Sequence, residues 1–181
     1  MLFRIRSSVV LLLLPLFGCS EVPAPPVCRS VESTEPAHDA LACVIKTDKY
    51  ALLLENAGGL LTMPLASINE EQSEQCALHE QVWQQTGVNV EVGKLVLTTS
   101  QNMAVYECTQ QAGLDSITGD FPSPSWTGES LSWVKRDVFL INIKDMENRD
   151  HLIPLRDSVT ILHQNTQPAG GNTTTANQSG E

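Results

Sequence analysis

The stretch QCALHEQVWQQTGV, residues 75–88, decides how the chain is interpreted. A helix is predicted over residues 73–85, because Ser73 can cap its first turn and Gly87 lies just beyond its end. Glu80 is the only acidic residue of the stretch. Glutamines occupy positions 81, 84 and 85. These positions are three and four residues apart and share one helical face, so the predicted helix presents a row of neutral amides.

Apolar segments on both sides of this helix predict strands. Residues 40–56 indicate a hairpin with its turn at 47–49, and residues 60–68 indicate a further short extended segment. Additional strands are predicted at 88–99, 103–109 and 131–134, and a closing helix at 155–164. Strands on either side of one helix, followed by a second helix, predict an α/β or α+β sandwich in a single domain.

The sequence MPLASINEEQSEQCALHEQVWQQTGV, residues 63–88, resembles the Nudix box, G-x5-E-x7-R-E-U-x-E-E-x-G-U, in which U is aliphatic. The spacing fits without a gap. Ala66 lies at the first glycine, Gly87 at the closing glycine, and Val82 and Val88 at aliphatic positions. The resemblance covers residues 40–160 and implies a Nudix-type α/β/α sandwich with a mixed sheet.

The acids of this family are replaced in the chain. The resemblance places Glu80 at the arginine of the box, and it places glutamine at the four glutamates: Gln72, Gln81, Gln84 and Gln85. In Nudix hydrolases these glutamates hold Mg²⁺, which neutralises the pyrophosphate and activates water. A glutamine carbonyl is neutral, and Mg²⁺ gives up its hydration shell reluctantly for such a ligand. We therefore predict no intact catalytic residue, no metal site and no cofactor.

Two other acids are candidate substitutes. Glu71 can stand in for Gln72, and Glu129 lies where some family members place a late catalytic acid. The alternative interpretation is that the acids at 70, 71 and 74 are solvated charges that favour the N-terminus of the helix. His79 is interpreted as a packing or surface residue, and the remaining histidines show no metal-ligand spacing.

Residues 1–18 have the layout of a lipoprotein signal peptide. A basic start precedes the apolar run SSVVLLLLPLFG, which is too short for a permanent membrane-spanning helix. The sequence LFGC, residues 16–19, resembles a bacterial lipobox, in which Cys19 is acylated and becomes the N-terminus. Ser20 resembles the residue that follows this cysteine in lipoproteins sorted to the outer membrane. The membrane, contacted through Cys19, is therefore a predicted partner, and the domain is predicted to face the periplasm.

The rest of the chain is divided by composition. Residues 19–39 are predicted to form a lipidated, proline-rich tether, 40–163 the Nudix-like domain, and 164–181 a disordered tail. Removal of residues 1–18, which hold two of the 11 basic residues and none of the 21 acidic ones, leaves 9 bases and a net charge of −12. This balance, without a basic patch, excludes nucleic acid as a partner.

Four cysteines remain after Cys19, and the predicted export favours disulfides between them. Four cysteines allow three connectivities. Cys28 and Cys43 flank the start of the first predicted strand, while Cys76 lies in the helix and Cys108 in a neighbouring strand. The predicted pairs are therefore Cys28–Cys43 and Cys76–Cys108.

Three functional hypotheses follow. The first is a catalytically silent pseudo-hydrolase, a Nudix-fold lipoprotein that acts as a binding or interaction module. The alternative is an active Mg²⁺-dependent Nudix hydrolase with relocated acids, which cleaves a nucleoside-diphosphate-linked or other pyrophosphate substrate. A third is a purely structural envelope lipoprotein in which large side chains close the cleft beside Gln81 and Gln85.

Overall fold

Eight strands and two α-helices lie in the part of the chain that the structure, a computed structural model, describes: residues 23–32, 37–47, 50–68, 71–111, 119–127 and 130–166. The strands are β1 (Ala40–Thr47), β2 (Tyr50–Glu55), β3 (Leu61–Thr62), β4 (Leu65–Ser67), β5 (Val90–Thr98), β6 (Met103–Gln110), β7 (Phe121–Pro122) and β8 (Ser132–Asp137). The helices are α1 (Glu74–Thr86) and α2 (Leu152–Thr166). The two hairpins, the strand near 131–134 and both helices predicted from the sequence are confirmed.

The strands form one mixed sheet in the order β5-β6-β1-β2-β8-β7, with β3 paired to β2 and β4 paired to β1. The strands β1 and β6 run parallel, and Cys43 lies opposite Tyr106 in their register. The other strand pairs are antiparallel. A parallel pair needs a crossover between its strands, and here the intervening chain contains α1.

The two helices cover opposite faces of the sheet. Alternate residues of a strand point to opposite faces, so Leu41 and Cys43 of β1 pack in one core with α1, whereas Ala42 and Val44 pack in another. The second core holds the apolar side of α2, which comprises Leu152, Leu155, Val159 and Leu162. This arrangement is the predicted α/β/α sandwich.

Local sequence signals fix both ends of α1. The Ser73 side chain accepts a hydrogen bond from the backbone N–H of Cys76 at 3.4 Å. Gly87 ends the helix with φ of 70°, and its N–H donates to the Trp83 carbonyl at 2.7 Å. A Cβ atom at Gly87 would also lie 2.4 Å from Pro124 Cγ, so glycine is required by conformation and by packing.

Residues 29–31, within the predicted tether over 19–39, are attached to the domain. The N–H of Val31 donates to the Val92 carbonyl, and the N–H of Val92 donates to the Arg29 carbonyl, so this segment extends the sheet beside β5. At the other end α2 runs to Thr166, past the predicted domain boundary at 163. Within the described ranges, neither helix has the length and apolar character that a membrane crossing requires.

All four remaining cysteines form disulfides, as predicted, but the predicted pairing is wrong. Cys28 is bonded to Cys76, with Cα atoms 5.3 Å apart, and Cys43 to Cys108, with Cα atoms 5.7 Å apart. The physical reason is the sheet order. β1 lies next to β6, which brings Cys43 beside Cys108, while the segment that pairs with β5 carries Cys28 to the first turn of α1.

Peptide mapping of the unreduced protein is expected to recover Cys28–Cys76 and Cys43–Cys108 peptides. Replacement of Cys43 and Cys108 by alanine should lower the free energy of unfolding in urea by about 2–5 kcal/mol, because the bond constrains the unfolded chain. A Cys28–Cys43 or Cys76–Cys108 peptide would contradict the observed strand order.

Candidate functional site

One face of α1 borders a cavity of about 320 Å³ beside β4. Gln81 and Gln85, one helical turn apart, line this cavity together with Ser67 of β4 and His151. The Gln85 side-chain amide also donates to the Leu65 carbonyl at 2.8 Å, which ties α1 to β4. The cavity therefore lies beside two of the positions where the resemblance places metal-binding glutamates.

The other two substituted positions are turned toward Glu80. The side-chain amide of Gln72 donates to Glu80 Oε2 at 3.0 Å, and that of Gln84 donates to Glu80 Oε1 at 2.9 Å. Glu80 and Gln81 are adjacent and separated by about 100° around the helix, so Glu80 points to a different side of α1 from Gln81. The five box positions consequently form two groups: an amide–carboxylate–amide cluster and a pair of amides at the cavity.

The donor set at the cavity does not fit Mg²⁺. Among the described residues that line the cavity, none carries a carboxyl group. Across the described part of the chain, no three His, Cys, Asp or Glu side chains come together to hold a metal ion. Mg²⁺ is bound in proteins mainly through carboxylates and retained waters, so amides at 81 and 85 offer it little.

The segment around Ala66, which lies at the position of the first glycine of the box, forms the strand β4. Leu65 and Ala66 pair with Ala42 and Leu41 of β1, and Ala66 is buried. The carbonyl of Pro64 accepts from the Cys43 N–H at 2.9 Å. The backbone here is engaged with β1, so it differs from a glycine turn that leaves its amides for a phosphate.

His151 lies at the small cavity and at a larger one, and no motif in the sequence pointed to it. It also lines a cleft of about 870 Å³ between α2 and the turn that joins β5 to β6. Burial lowers the pKa of His151, and the nearby charges of Asp150 and Glu147 offset this only in part. Its Nε2 lies 3.0 Å from the Asn148 amide, while Nδ1 is buried without a partner among the described residues. His151 therefore adds a neutral polar group to both cavities.

The other predicted site residues lie away from the cavity or outside the described ranges. Glu71 is exposed and does not line the cavity. Glu129 and Cys19 lie outside the described residues. His79 is buried, and its Nε2 lies 2.9 Å from Asn89 Oδ1, so it is a packing residue as interpreted.

Glu74 is not the solvated charge that the sequence suggested. Its side chain is fully buried and accepts hydrogen bonds from the backbone N–H groups of Ala37 and His38, at 2.7 and 3.0 Å. Tyr106 Oη donates to it at 2.5 Å, and His38 Nδ1 lies 2.9 Å from both carboxylate oxygens. Burial alone would raise the pKa of Glu74, but the hydrogen bonds from Tyr106, Ala37 and His38 together lower it. The carboxylate is therefore held in its ionised form.

Three solved structures share the fold of this chain. The chain matches an ADP-ribose pyrophosphatase from Streptococcus suis with a TM-score of 0.52 and 14% identity, over 67% of this chain and 88% of that one. A UDP-X diphosphatase gives a TM-score of 0.54 at 11% identity, over 75% of this chain and 67% of that one. A Nudix hydrolase from Nitrosomonas europaea gives a TM-score of 0.51 at 16% identity, over 72% and 73% of the two chains.

These likenesses establish the fold. The chain has the Nudix hydrolase-like fold that the spacing of residues 63–88 predicted. No protein-family profile matches the sequence, and no curated protein matches it.

Glu74→Gln is expected to destabilise the protein by about 1–3 kcal/mol at neutral pH, because an amide cannot accept the four hydrogen bonds made to the carboxylate. The pKa of Glu74 is lower in the folded state than its ordinary value of 4.5. Its contribution is therefore complete above that value and is lost as the pH falls through the lowered pKa. Urea unfolding of the native protein and of Glu74→Gln should show that the difference between their free energies of unfolding becomes smaller at acidic pH.

The exposed acid Asp39 provides the matched control. Asp39→Asn should change the unfolding free energy by less than about 0.5 kcal/mol. Equal effects of the two substitutions at neutral pH would contradict the role assigned to Glu74.

Proposed function

We propose that the protein is a catalytically silent Nudix-fold lipoprotein that acts as a binding or interaction module on the periplasmic side of the outer membrane. The observation that supports it is the cavity beside α1, whose helical wall consists of the amides of Gln81 and Gln85. Amides donate and accept hydrogen bonds without charge, so this wall suits a polar ligand better than a metal–pyrophosphate complex.

The proposed loss of hydrolysis follows from electrostatics. Cleavage of a pyrophosphate requires a cation to neutralise the phosphates and to activate the attacking water. The nearest carboxylate of the box, Glu80, is occupied by hydrogen bonds from Gln72 and Gln84. A neutral cavity with a neutral histidine supplies neither the metal nor its ligands.

The open cavity beside Gln81 and Gln85 favours a binding role over a purely structural one. The structural hypothesis required large side chains to fill the cleft beside Gln81 and Gln85. A cavity of about 320 Å³ lies there instead, lined on one side by the small residues Ala40, Ala66 and Ser67. Such a volume accommodates a small molecule or a side chain of a protein partner.

The proposed location rests on the N-terminal sequence. A basic start, an apolar run, Gly18, Cys19 and a proline-rich segment follow one another in the order found in bacterial lipoproteins. The two disulfides agree with an oxidising compartment such as the periplasm.

The purified protein is expected to give no heat of binding with Mg²⁺ or Mn²⁺ in calorimetry, because the cavity lacks carboxylates. The double variant Gln81→Glu, Gln85→Glu should gain Mn²⁺ affinity by about tenfold or more, since it places two carboxylates one turn apart at the cavity. The variant Gln111→Glu, Gln164→Glu, which adds the same charge at exposed positions, serves as the control and should gain none.

Turnover assays separate this proposal from the active-hydrolase alternative. With Mg²⁺ and either ADP-ribose or a dinucleoside polyphosphate, the native protein should release no product. Turnover that disappears in Glu71→Gln or Glu129→Gln would overturn the proposal and establish a hydrolase with relocated acids.

Palmitate labelling tests the anchor. Cells that express the native chain should incorporate radiolabelled palmitate into the protein, whereas Cys19→Ser should incorporate none and should accumulate as a precursor or as a non-acylated form. A native protein that takes up no label and fractionates as soluble periplasmic material would exclude lipidation at Cys19.

A further inference from the structure

The two disulfides differ in their exposure to solvent. Cys43 and Cys108 are 1% and 3% exposed and belong to the core between α1 and the sheet. Cys28 and Cys76 are both partly exposed, and their bond joins the segment before β1 to the first turn of α1. Reduction of a disulfide begins when a thiolate attacks one of its sulfur atoms, so access to the sulfur governs the rate. The fold therefore presents one disulfide to a reductant and shields the other.

Residues 23–32 form an N-terminal arm that contributes no buried side chain to the domain. Val31, for example, is 58% exposed. Apart from the disulfide, the arm is joined to the described part of the chain by two backbone hydrogen bonds to Val92 and by an exposed ion pair, at 3.1 Å, between Arg29 and Glu91. Two hydrogen bonds and an exposed ion pair offset little of the conformational entropy that the ordered arm loses. The covalent bond is therefore what keeps the arm on the domain.

The chain is fixed to the domain again just before β1. The backbone N–H groups of Ala37 and His38 donate to the buried carboxylate of Glu74 at 2.7 and 3.0 Å. The side-chain amide of Asn102 donates to the Ala37 carbonyl at 3.3 Å. None of these hydrogen bonds involves the arm, so they and β1 stay in place when the first disulfide opens. A released arm thus remains attached to the domain at Ala37.

We propose that Cys28–Cys76 is a reversible redox site, at which a dithiol reductant releases the N-terminal arm while the second disulfide stays closed. A thiolate of the dithiol attacks Cys28 Sγ, the sulfur–sulfur bond breaks, and Cys76 leaves as a thiolate. Cys76 is the favoured leaving group because the first turn of a helix stabilises negative charge. The other thiol of the reductant then attacks the mixed disulfide and displaces Cys28. Two electrons and two protons pass from the dithiol, which becomes a disulfide, to the two cysteines, which become thiols.

Release of the arm lengthens the tether between the lipid and the domain, a consequence that rests on the proposed lipidation of Cys19. Cys28 lies nine residues after Cys19, and Ala37 lies eighteen residues after it. An extended chain spans at most about 3.3–3.6 Å per residue, so the greatest reach of the domain from the lipid rises from about 30 Å to about 60 Å. The redox state of one bond thus sets the distance from the membrane at which the cavity beside α1 can meet its partner.

Partial reduction of the purified protein tests the site. After brief treatment with dithiothreitol, alkylation and mass spectrometry should show thiols on Cys28 and Cys76 appearing about tenfold faster or more than thiols on Cys43 and Cys108, because only the first pair is accessible. Equal rates for the two pairs would overturn the proposal.

Tryptic cleavage after Arg29 measures release of the arm. The carbonyl of this peptide bond accepts from the Val92 N–H, so the arm must leave β5 before the protease can cut. Reduction of the native protein should raise the cleavage rate by about tenfold or more. An unchanged rate after Cys28–Cys76 has been reduced would also overturn the proposal.

Two paired variants show which disulfide holds the arm. Cys28→Ala, Cys76→Ala should be cut after Arg29 at the high rate with or without dithiothreitol. Cys43→Ala, Cys108→Ala is the matched control and should respond to dithiothreitol as the native protein does. Thermal melts should show that both variants are folded at the temperature of the assay. A low cleavage rate in folded Cys28→Ala, Cys76→Ala would contradict the role of this bond.

Energy transfer from tryptophan to a dansyl lipid measures the reach of the lipidated protein on vesicles. The transfer should fall on reduction, and it should be low in Cys28→Ala, Cys76→Ala in both conditions. Equal transfer in the two redox states would exclude a longer tether. A protein that does not bind the vesicles would contradict the anchor at Cys19, whereas the tryptic assay needs no membrane and tests the disulfide alone.

Discussion

The parallel pairing of β1 with β6 is the constraint on which the rest of the molecule depends. It places β1 in the middle of the sheet, with Leu41 and Cys43 facing α1 and with Ala42 and Val44 facing the core under α2. The intervening chain must cross one face of the sheet, and α1 covers that face as it does so. The same pairing brings Tyr106 beneath the first turn of α1, where it meets Glu74. Sheet order, helix position and the buried polar cluster therefore follow from one pair of strands.

The features that were predicted correctly from the sequence are those that depend on interactions between neighbouring residues. Ser73 and Gly87 define α1 through contacts within a few residues, and the two hairpins are likewise formed by neighbouring segments. The disulfide pairing and the burial of Glu74 depend on partners that are 32 to 65 residues away in the chain. Such partners become visible only when the strand order is known. Glu74, an acid at a helix start, was interpreted as a solvated charge because the sequence around it does not indicate that Tyr106 and His38 lie nearby in the fold.

The residues at the box positions contribute to packing and to local hydrogen bonds. Val82, Gly87 and Val88 serve the packing of α1, and Val82 and Val88 are buried in the core. The glutamine positions serve local contacts instead: Gln85 binds the Leu65 carbonyl, and Gln84 binds Glu80. The spacing of residues in such a motif depends on the helix and the elements packed against it, whereas the charge of the side chains depends on the ligand that they bind. A chain can therefore keep the spacing of the motif while the charges at its positions change.

The bond between Cys28 and Cys76 has a mechanical consequence. Residues 29–75, which include β1 through β4, lie inside a covalent loop, and Cys43 within that loop is bonded to Cys108 outside it. A pull on the chain before Cys28 can reach Cys108 by two covalent routes: through sulfur into α1 and along residues 77–107, or along residues 29–42 and through the second disulfide. Residues 44–75, which include β2, β3 and β4, only connect these two routes. Under stretching in an oxidising compartment, the shorter route through residues 29–42 thus limits how far residues 77–107 can be drawn out.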